Sequence, residues 1–435
     1  MKMKRHRFYA CLLTVMTLAG FTACSSTDND GVTDGQTVNG KSQLTLTINT
    51  MGTRPGFKAD PGGETPTSKD SPEKTINRVT VGIFDSDDKV RTIKEFTKGT
   101  DEAAGTVGTN TFKTTDGSTV MNIVTNKLTD KDKVLVAVNA PSGKFQGAQT
   151  VSDFQSRSVD AGRALATNAS NEEKVQTDQV ADNAPMFGEA DLQAPGEGQT
   201  AYTASVNVSH LTAKISLTDI EVAFDPNGSY QNATFSPTEI YVEHVVDGLN
   251  FNPEPGNWFT PTTSLLTGAT GVTDAKSYLT TGTISGVTLS GAKDAPTAKM
   301  STPYFFYVTP SSNHTQSGTN ANAVRVWIKG EFDPDGPNGN TGATTVFYPV
   351  LLNVKYDAAG AAVPAEDKTE KYEVYPNKNY ICTVVIKTKG LLGIGEGGKT
   401  QPDGTNGNDE LKPQQATITV SVNDWDRVPQ TTTFE

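Results

Sequence analysis

Residues 416–425 read Ala416-Thr417-Ile418-Thr419-Val420-Ser421-Val422-Asn423-Asp424-Trp425, with Ile418, Val420 and Val422 alternating with Thr417, Thr419 and Ser421. A period of two gives one apolar and one polar face, the pattern of a half-buried β-strand. The stretch lies close to the C-terminus, behind a segment from Gly390 to Pro413 that is rich in Gly, Pro, Asp and Asn. Such a composition makes a flexible linker, and its cargo reaches well beyond the unit it leaves. A lone strand is not stable in water and must join a sheet. It is therefore an edge strand of its own unit or the missing strand of another.

The opposite end bears on where the chain resides. Lys2, Lys4, Arg5 and Arg7 precede a largely apolar run from Phe8 to Phe21, which is too short to span a membrane and has the proportions of a signal peptide. The run closes with Phe21-Thr22-Ala23-Cys24, small residues leading to a cysteine. This resembles a bacterial lipoprotein signal, with Cys24 lipidated and made the new N-terminus, although Phe21 departs from the usual Leu-rich lipobox. The alternative is ordinary secretory cleavage with Cys24 an incidental thiol. The acidic stretch from Ser25 to Asp30 resembles the export signals of surface lipoproteins in Bacteroides-type bacteria.

Composition agrees with life outside the cytoplasm. Of three cysteines, Cys11 leaves with the signal and Cys24 carries lipid, so Cys382 alone remains and no internal disulfide is available. Cys382 falls in the strand-like run Tyr380-Ile381-Cys382-Thr383-Val384-Val385-Ile386, the place of a small buried hydrophobe. Removal of residues 1–23 leaves 33 Lys and Arg against 49 Asp and Glu, a net charge of −16. That balance excludes a nucleic-acid partner and favours solubility. A chain of 435 residues suits two domains rather than one.

Between the termini the signal is β almost throughout. Alternations recur at Leu44-Leu46-Ile48, Val79-Val81-Ile83, Val134-Val136-Val138, Val206-Val208, Ile215-Leu217, Val324-Val326-Ile328 and Tyr380-Cys382-Val384-Ile386. Short strands separated by turn clusters point to a mainly β chain of antiparallel sandwiches. One helical patch is expected over Val151–Leu165, with Ser152 as its N-cap before Phe154. A break is expected near Ala201–Tyr202, after Ala194-Pro195-Gly196-Glu197-Gly198. The expected units are residues 1–23 (signal), 24–54 (propeptide), 55–200 and 201–389 (two domains), 390–415 (linker) and 416–435 (tail strand).

Catalytic and metal-binding patterns are missing. His6, His210, His244 and His314 are isolated, without metal-ligand spacing, and Tyr241-Val242-Glu243-His244 lacks the second His of a zinc helix. There is no phosphate-cradling Gly-rich loop and no nucleophile elbow. Asp333-Pro334-Asp335-Gly336-Pro337-Asn338-Gly339-Asn340 departs from an EF-hand, because Pro337 stands where an oxygen ligand belongs, and it reads as a hairpin turn. Asp85-Ser86-Asp87-Asp88 reads as a solvated turn. No enzyme activity, metal or cofactor is expected. Trp258-Phe259, beside Pro253, Pro255 and Pro261, either offers aromatic platforms for sugars or pins a sandwich edge.

Several segments together carry a family resemblance. They are Leu44-Thr45-Leu46-Thr47-Ile48-Asn49-Thr50-Met51-Gly52-Thr53-Arg54, Val134-Leu135-Val136-Ala137-Val138-Asn139-Ala140, Ala184-Pro185-Met186-Phe187-Gly188 and Leu211-Thr212-Ala213-Lys214-Ile215. Farther on come Tyr304-Phe305-Phe306-Tyr307-Val308, Val346-Phe347-Tyr348-Pro349-Val350 and Asn377-Lys378-Asn379-Tyr380. In this order along nearly the whole mature chain, they resemble the FimA/Mfa-type fimbrillins, pilus subunits of Bacteroides-like bacteria, and the Mfa-like branch in particular. The resemblance implies two transthyretin-like, Greek-key β-sandwich domains in tandem plus a C-terminal donor strand.

The resemblance also implies a route to assembly. A lipoprotein precursor reaches the outer membrane, and a trypsin-like protease cuts after an Arg that follows the first strand. The strand carrying Leu44, Leu46 and Ile48 is then lost. The donor strand of another copy, with Ile418, Val420, Val422 and Trp425, fills the groove left behind. Leu44-Thr45-Leu46-Thr47-Ile48 and Ile418-Thr419-Val420-Ser421-Val422 share the apolar–hydroxyl alternation this exchange requires. Arg54 is the expected cleavage site, but Pro55 follows it and proline stiffens a protease substrate. Lys58 is the alternative site, and a third option is that the chain stays uncut and lipid-anchored. The implied partners are other copies of the chain, accessory pilus subunits, outer-membrane lipid through Cys24 before processing, and host or bacterial surface receptors. The rival function is a tip, anchor or free-standing surface lipoprotein that binds host glycan or protein.

Overall fold

The computed structural model of the chain describes residues 41–50, 75–99, 111–115, 118–162, 184–260, 265–291, 298–312, 322–356, 361–365, 370–392 and 426–434. Its first half contains β1 (Lys41–Thr50), β2 (Arg78–Phe84), β3 (Val90–Lys98), β4 (Thr111–Thr115), β5 (Ser118–Asn126) and β6 (Lys133–Val138). Helix α1 (Val151–Gln155), β7 (Ser158–Asp160), β8 (Met186–Asp191) and β9 (Tyr202–His210) follow. Eight of these strands close a barrel in the order β1-β5-β4-β3-β2-β6-β8-β9. Its interior is the alternation seen in the sequence. Leu44, Leu46 and Ile48 meet Val79, Val81 and Ile83, Met121 and Ile123, Val134, Val136 and Val138, and Val206 and Val208 in one cluster.

Two barrel strands are covered on both faces. Phe84, Leu135 and Ala137 point out of the barrel into a second cluster with Phe145 and Phe154, so outward positions of β2 and β6 are apolar as well as the inward alternation. Phe154 stacks on Phe145 with ring centroids 4.1 Å apart. Gly82 makes room for this cover, since a Cβ there would stand 2.6 Å from Phe84 Cε2 and 3.0 Å from Phe154 Cε2.

Helix α1 is shorter than its sequence suggests. It ends at Gln155, and its N-cap is Thr150, whose side chain accepts from Asp153 N–H, rather than Ser152. The chain then returns as β7, paired with Gly248–Asn250, so strand pairing overrides the helical pattern beyond one turn.

The second half contains β10 (Ala213–Val222), β11 (Thr234–Val245), β12 (Gly248–Asn250), β13 (Leu266–Thr267), β14 (Leu289–Ser290), β15 (Lys299–Met300) and β16 (Tyr304–Val308). Then come β17 (Arg325–Asp333), β18 (Thr344–Leu351), β19 (Val354–Tyr356), β20 (Ala362–Pro364), β21 (Lys378–Ile386), β22 (Leu391–Leu392) and β23 (Asp426–Phe434). One sheet runs β15-β10-β21-β23 with β16 also on β10, and the other runs β13-β11-β17-β18-β22 with β14 also on β11. Ile215, Leu217, Tyr380, Cys382 and Val384 of the first sheet share a core cluster with Ile240, Val242, Val326, Ile328 and Tyr348 of the second. Bulges keep this alternation in phase. The register shifts between Leu217 and Asp219 on β10 and between Pro237 and Glu239 on β11, so Ile220 and Ile240 again face the core. Pro237, which cannot serve a regular ladder, sits at one of these shifts.

Two features differ from the sequence reading. Strand β9 follows the break expected near 201, yet it closes the barrel against β8 and β1. At the C-terminus, residues 426–434 of the expected tail strand lie on their own sheet, parallel to β21 from Lys378↔Asp426 to Ile386↔Phe434. Ile418, Val420, Val422 and Trp425 lie outside the described residues.

Candidate functional site

Strand β1 occupies a two-sided slot. It pairs antiparallel with β5 from Lys41↔Asn126 to Asn49↔Ser118, and parallel with β9 from Leu44↔Tyr202 to Thr50↔Val208. Every second side chain enters the barrel, and Leu44, Leu46 and Ile48 are each 0% exposed. The intervening residues form a polar ladder outside. Thr45 Oγ1 donates to Asn122 Oδ1 at 3.1 Å. Asn49 Nδ2 donates to Ser205 Oγ at 3.1 Å and to Asn207 Oδ1 at 3.4 Å. Near the other end, Ser42 Oγ accepts from Leu128 N–H at 3.1 Å. The slot therefore specifies its filler by apolar volume inside, hydroxyl and amide groups outside, and main-chain pairing along both edges.

Such a strand is unusual as the first element of a barrel. The others adjoin sequence neighbours, whereas β1 reaches β2 only through residues 51–77 and pairs with strands far along the chain. Removing it would bare two unpaired edges and the apolar interior between them, a state that a folded protein avoids. Each of the three buried side chains is worth roughly 1.5–3 kcal/mol of burial.

Solved structures share this architecture. A candidate cell adhesion protein from Bacteroides eggerthii matches with a TM-score of 0.50 at 18% identity, covering 92% of this chain and 99% of its own. Another from Parabacteroides distasonis matches with a TM-score of 0.52 at 12% identity, covering 90% of this chain and 96% of its own. The chain has the fold of these proteins. A fimbrilin (FimA) from Porphyromonas gingivalis is also similar, with a TM-score of 0.49 at 14% identity and 90% and 97% coverage. The proteins whose fold this chain shares are candidate cell adhesion proteins from Bacteroides and Parabacteroides. No protein-family model and no curated protein matches the sequence.

Asn139 holds the barrel where its chain crosses between strands. Its Oδ1 accepts from Asn77 N–H at 2.9 Å and Arg78 N–H at 3.4 Å, and its Nδ2 donates to Thr75 O at 2.9 Å and Ala184 O at 3.0 Å. Its φ of +58° is a conformation that asparagine tolerates better than most residues. The side chain thus anchors the approach to β2 and the approach to β8 at once. Gly188, in the sequence motif that ends with it, allows β8 to lie close to β9, where a Cβ would collide with Asn207 O.

The remaining sequence candidates resolve as structural parts. Trp258 turns inward, donating from Nε1 to Pro253 O at 2.9 Å and meeting the Tyr375 ring edge-on at 5.2 Å, so it offers no sugar platform. Asp335 accepts from Asn340 N–H at 2.8 Å and from Thr341 N–H at 3.0 Å, closing a turn. Cys382 is wholly buried, and burial pushes its thiol well above the ordinary range. His244 lies against Arg325, with Nδ1 3.3 Å from Nη2, while Trp327 Nε1 donates to Glu243 Oε2 at 2.7 Å. This buried polar group braces the outer face of β11 and β17. Among the described residues no group of three or more His, Cys, Asp or Glu could hold a metal, and no helix is long and apolar enough to cross a membrane. Cys24, Arg54, Pro55 and Lys58 lie outside the described residues.

The flanking strands and the polar ladder were not readable from the sequence. Alternation marks Val206 and Val208 as inward, but nothing in it says that β9 borders β1. Asn122, Ser205 and Asn207 carry no pattern that separates them from other exposed strand residues.

Proposed function

We propose that this chain is a structural subunit of a cell-surface fimbria, exported as a lipoprotein through Cys24, that surrenders β1 to proteolysis and polymerises by strand replacement. In this reading, β1 is a temporary filler. Cleavage after Arg54, or after Lys58, frees it, and residues 416–425 of another copy take its place between β5 and β9. The joint supports adhesion by building the filament. The structural units that the filament strings together are a barrel ending at His210 and a two-sheet part beginning at Ala213, joined by Leu211 and Thr212.

The single observation that carries the reading is the slot itself. A first strand bonded on both sides, with Leu44, Leu46 and Ile48 fully buried, joins the rest of the described chain only through a segment that contains Arg54 and Lys58. That segment is rich in Gly, Pro, Ser and Thr, as an accessible protease substrate should be. The tail supplies a strand of the same pattern on a long linker. Joining unlike surfaces head to tail does not close on itself and therefore makes a fibre.

The test is to recover the protein from the cell surface and determine its N-terminus by mass spectrometry. A start at Pro55 or Ala59 with SDS-resistant ladders supports polymerisation, and Val420→Asp should abolish the ladders while leaving a folded monomer. A surface form that keeps diacylated Cys24, or ladders that survive Val420→Asp, would contradict it.

A further inference from the structure

Resting on the strand-replacement reading, we infer that the incoming segment enters in the direction and register of β1 itself, with Asn423 as the residue that sets that register. Ile418, Val420 and Val422 take the places of Leu44, Leu46 and Ile48. Asn423 takes the place of Asn49, facing Ser205 and Asn207 of the receiving copy.

Which part of the tail can fill the slot follows from its two edges. A filler between β5 and β9 must offer N–H groups to both sides. Residues 426–434 contain Pro429, which has no N–H, and they already lie as an edge strand on β21, a position that tolerates proline. Residues 416–425 contain no proline.

Burial sets the face but not the register, because a slip of two residues preserves the alternation. The individual sites discriminate. A slip that brings Val420 to Leu44 puts the Asp424 carboxylate at the Ile48 site, which is fully buried and apolar. The opposite slip brings Ala416 to Leu44, leaving a void, and carries Val422 past the buried sites to Thr50, which is half-buried. Reversing the strand fills the three apolar sites but places Thr417, not an amide, at Asn49. In the structure, one amide nitrogen of Asn49 serves two acceptors, Ser205 Oγ and Asn207 Oδ1. Only the β1-like register brings an asparagine there. It also sets Thr419 where Thr45 donates to Asn122. Six consecutive positions then match in kind, Leu-Thr-Leu-Thr-Ile-Asn against Ile-Thr-Val-Ser-Val-Asn.

Cysteine pairing reads the register directly. Thr47 stands opposite Val120 on β5, and Thr45 opposite Asn122. In the processed full-length chain, whose other cysteine, Cys382, is buried, Ser421→Cys with Val120→Cys should give a reducible intermolecular ladder on mild oxidation. Ser421→Cys with Asn122→Cys should not. Cross-linking at 122 instead of 120 overturns the register and leaves strand replacement standing. Fibres that form without either cross-link overturn the register, as a slip that sets Ser421 opposite Ser118 would give. A second measurement does not depend on assembly of the variants. A synthetic peptide of residues 416–425 should bind the processed chain, and Asn423→Ala in the peptide should weaken binding about tenfold. Unchanged affinity would overturn the role of Asn423.

Discussion

Leu46 is the residue on which the account presses hardest. It is fully buried at the centre of the barrel, on a strand that is proposed to be discarded. Leu46→Ala should therefore cost about 2–5 kcal/mol in the uncleaved chain, measured by denaturant unfolding, and nothing once β1 has been cut away. Asn139 behaves differently, because its four hydrogen bonds persist in both forms. Asn139→Ala takes a hydrogen-bond partner from four part-buried main-chain groups and meets a positive φ, so a loss of about 3 kcal/mol or more is expected before and after cleavage. The asparagine ending the β6 run was visible in the sequence, but its four partners were not, since they come from segments 45 to 64 residues away. Glu95 gives the pH signature of the barrel surface. Burial raises its carboxyl, but hydrogen bonds from Ser142 Oγ and Gly143 N–H and the adjacent Arg78 outweigh that and hold it below the ordinary value. A depressed carboxylate stabilises the fold above its ordinary pKa and loses that contribution as pH falls through the folded value. Glu95→Gln should accordingly flatten part of the decline in melting temperature below about pH 4.5.

At the scale of elements, strand type and inward face were legible because a period of two survives any topology. Pairing was not. Whether β1 would meet β5 and β9 depends on contacts between residues 69 to 158 positions apart, and no local pattern encodes them. Helix α1 failed for the same reason, since β7 gains a partner in β12 that outweighs the helical spacing after Gln155. The tail divides into two stretches with separate fates. Strand β23 is an edge strand on β21, so deleting residues 426–435 should speed amide exchange along Lys378–Ile386 while leaving the β1 and β9 amides as slow as before. Equal acceleration in the barrel would mean that β23 supports more than its own sheet. The register inferred for residues 418–423 leaves one flaw, for Ala416 then stands at Ser42 and Leu128 N–H loses its side-chain acceptor. Ala416→Ser should tighten the joint, seen as slower ladder dissociation in SDS.

For the whole molecule, the proposed assembly needs a receptor and a donor on one chain. The slot lies in the barrel, whereas the linker that carries residues 416–425 leaves from β22 on the two-sheet part. That polarity makes every joint alike and every product open-ended. A core cluster running from Phe84 and Leu135 of the barrel into Ile215 and Ile240 of the sheets ties the two parts together, so a joint made at one is carried through the subunit. The most direct test of the central claim is thermal. The chain lacking residues 1–54, purified as a monomer, should melt well below the intact chain, and a synthetic peptide of residues 416–425 should restore the higher melting temperature. A Val420→Asp peptide should not. If the wild-type peptide has no effect at saturating excess, or the Val420→Asp peptide works equally well, the slot between β5 and β9 is not where subunits join.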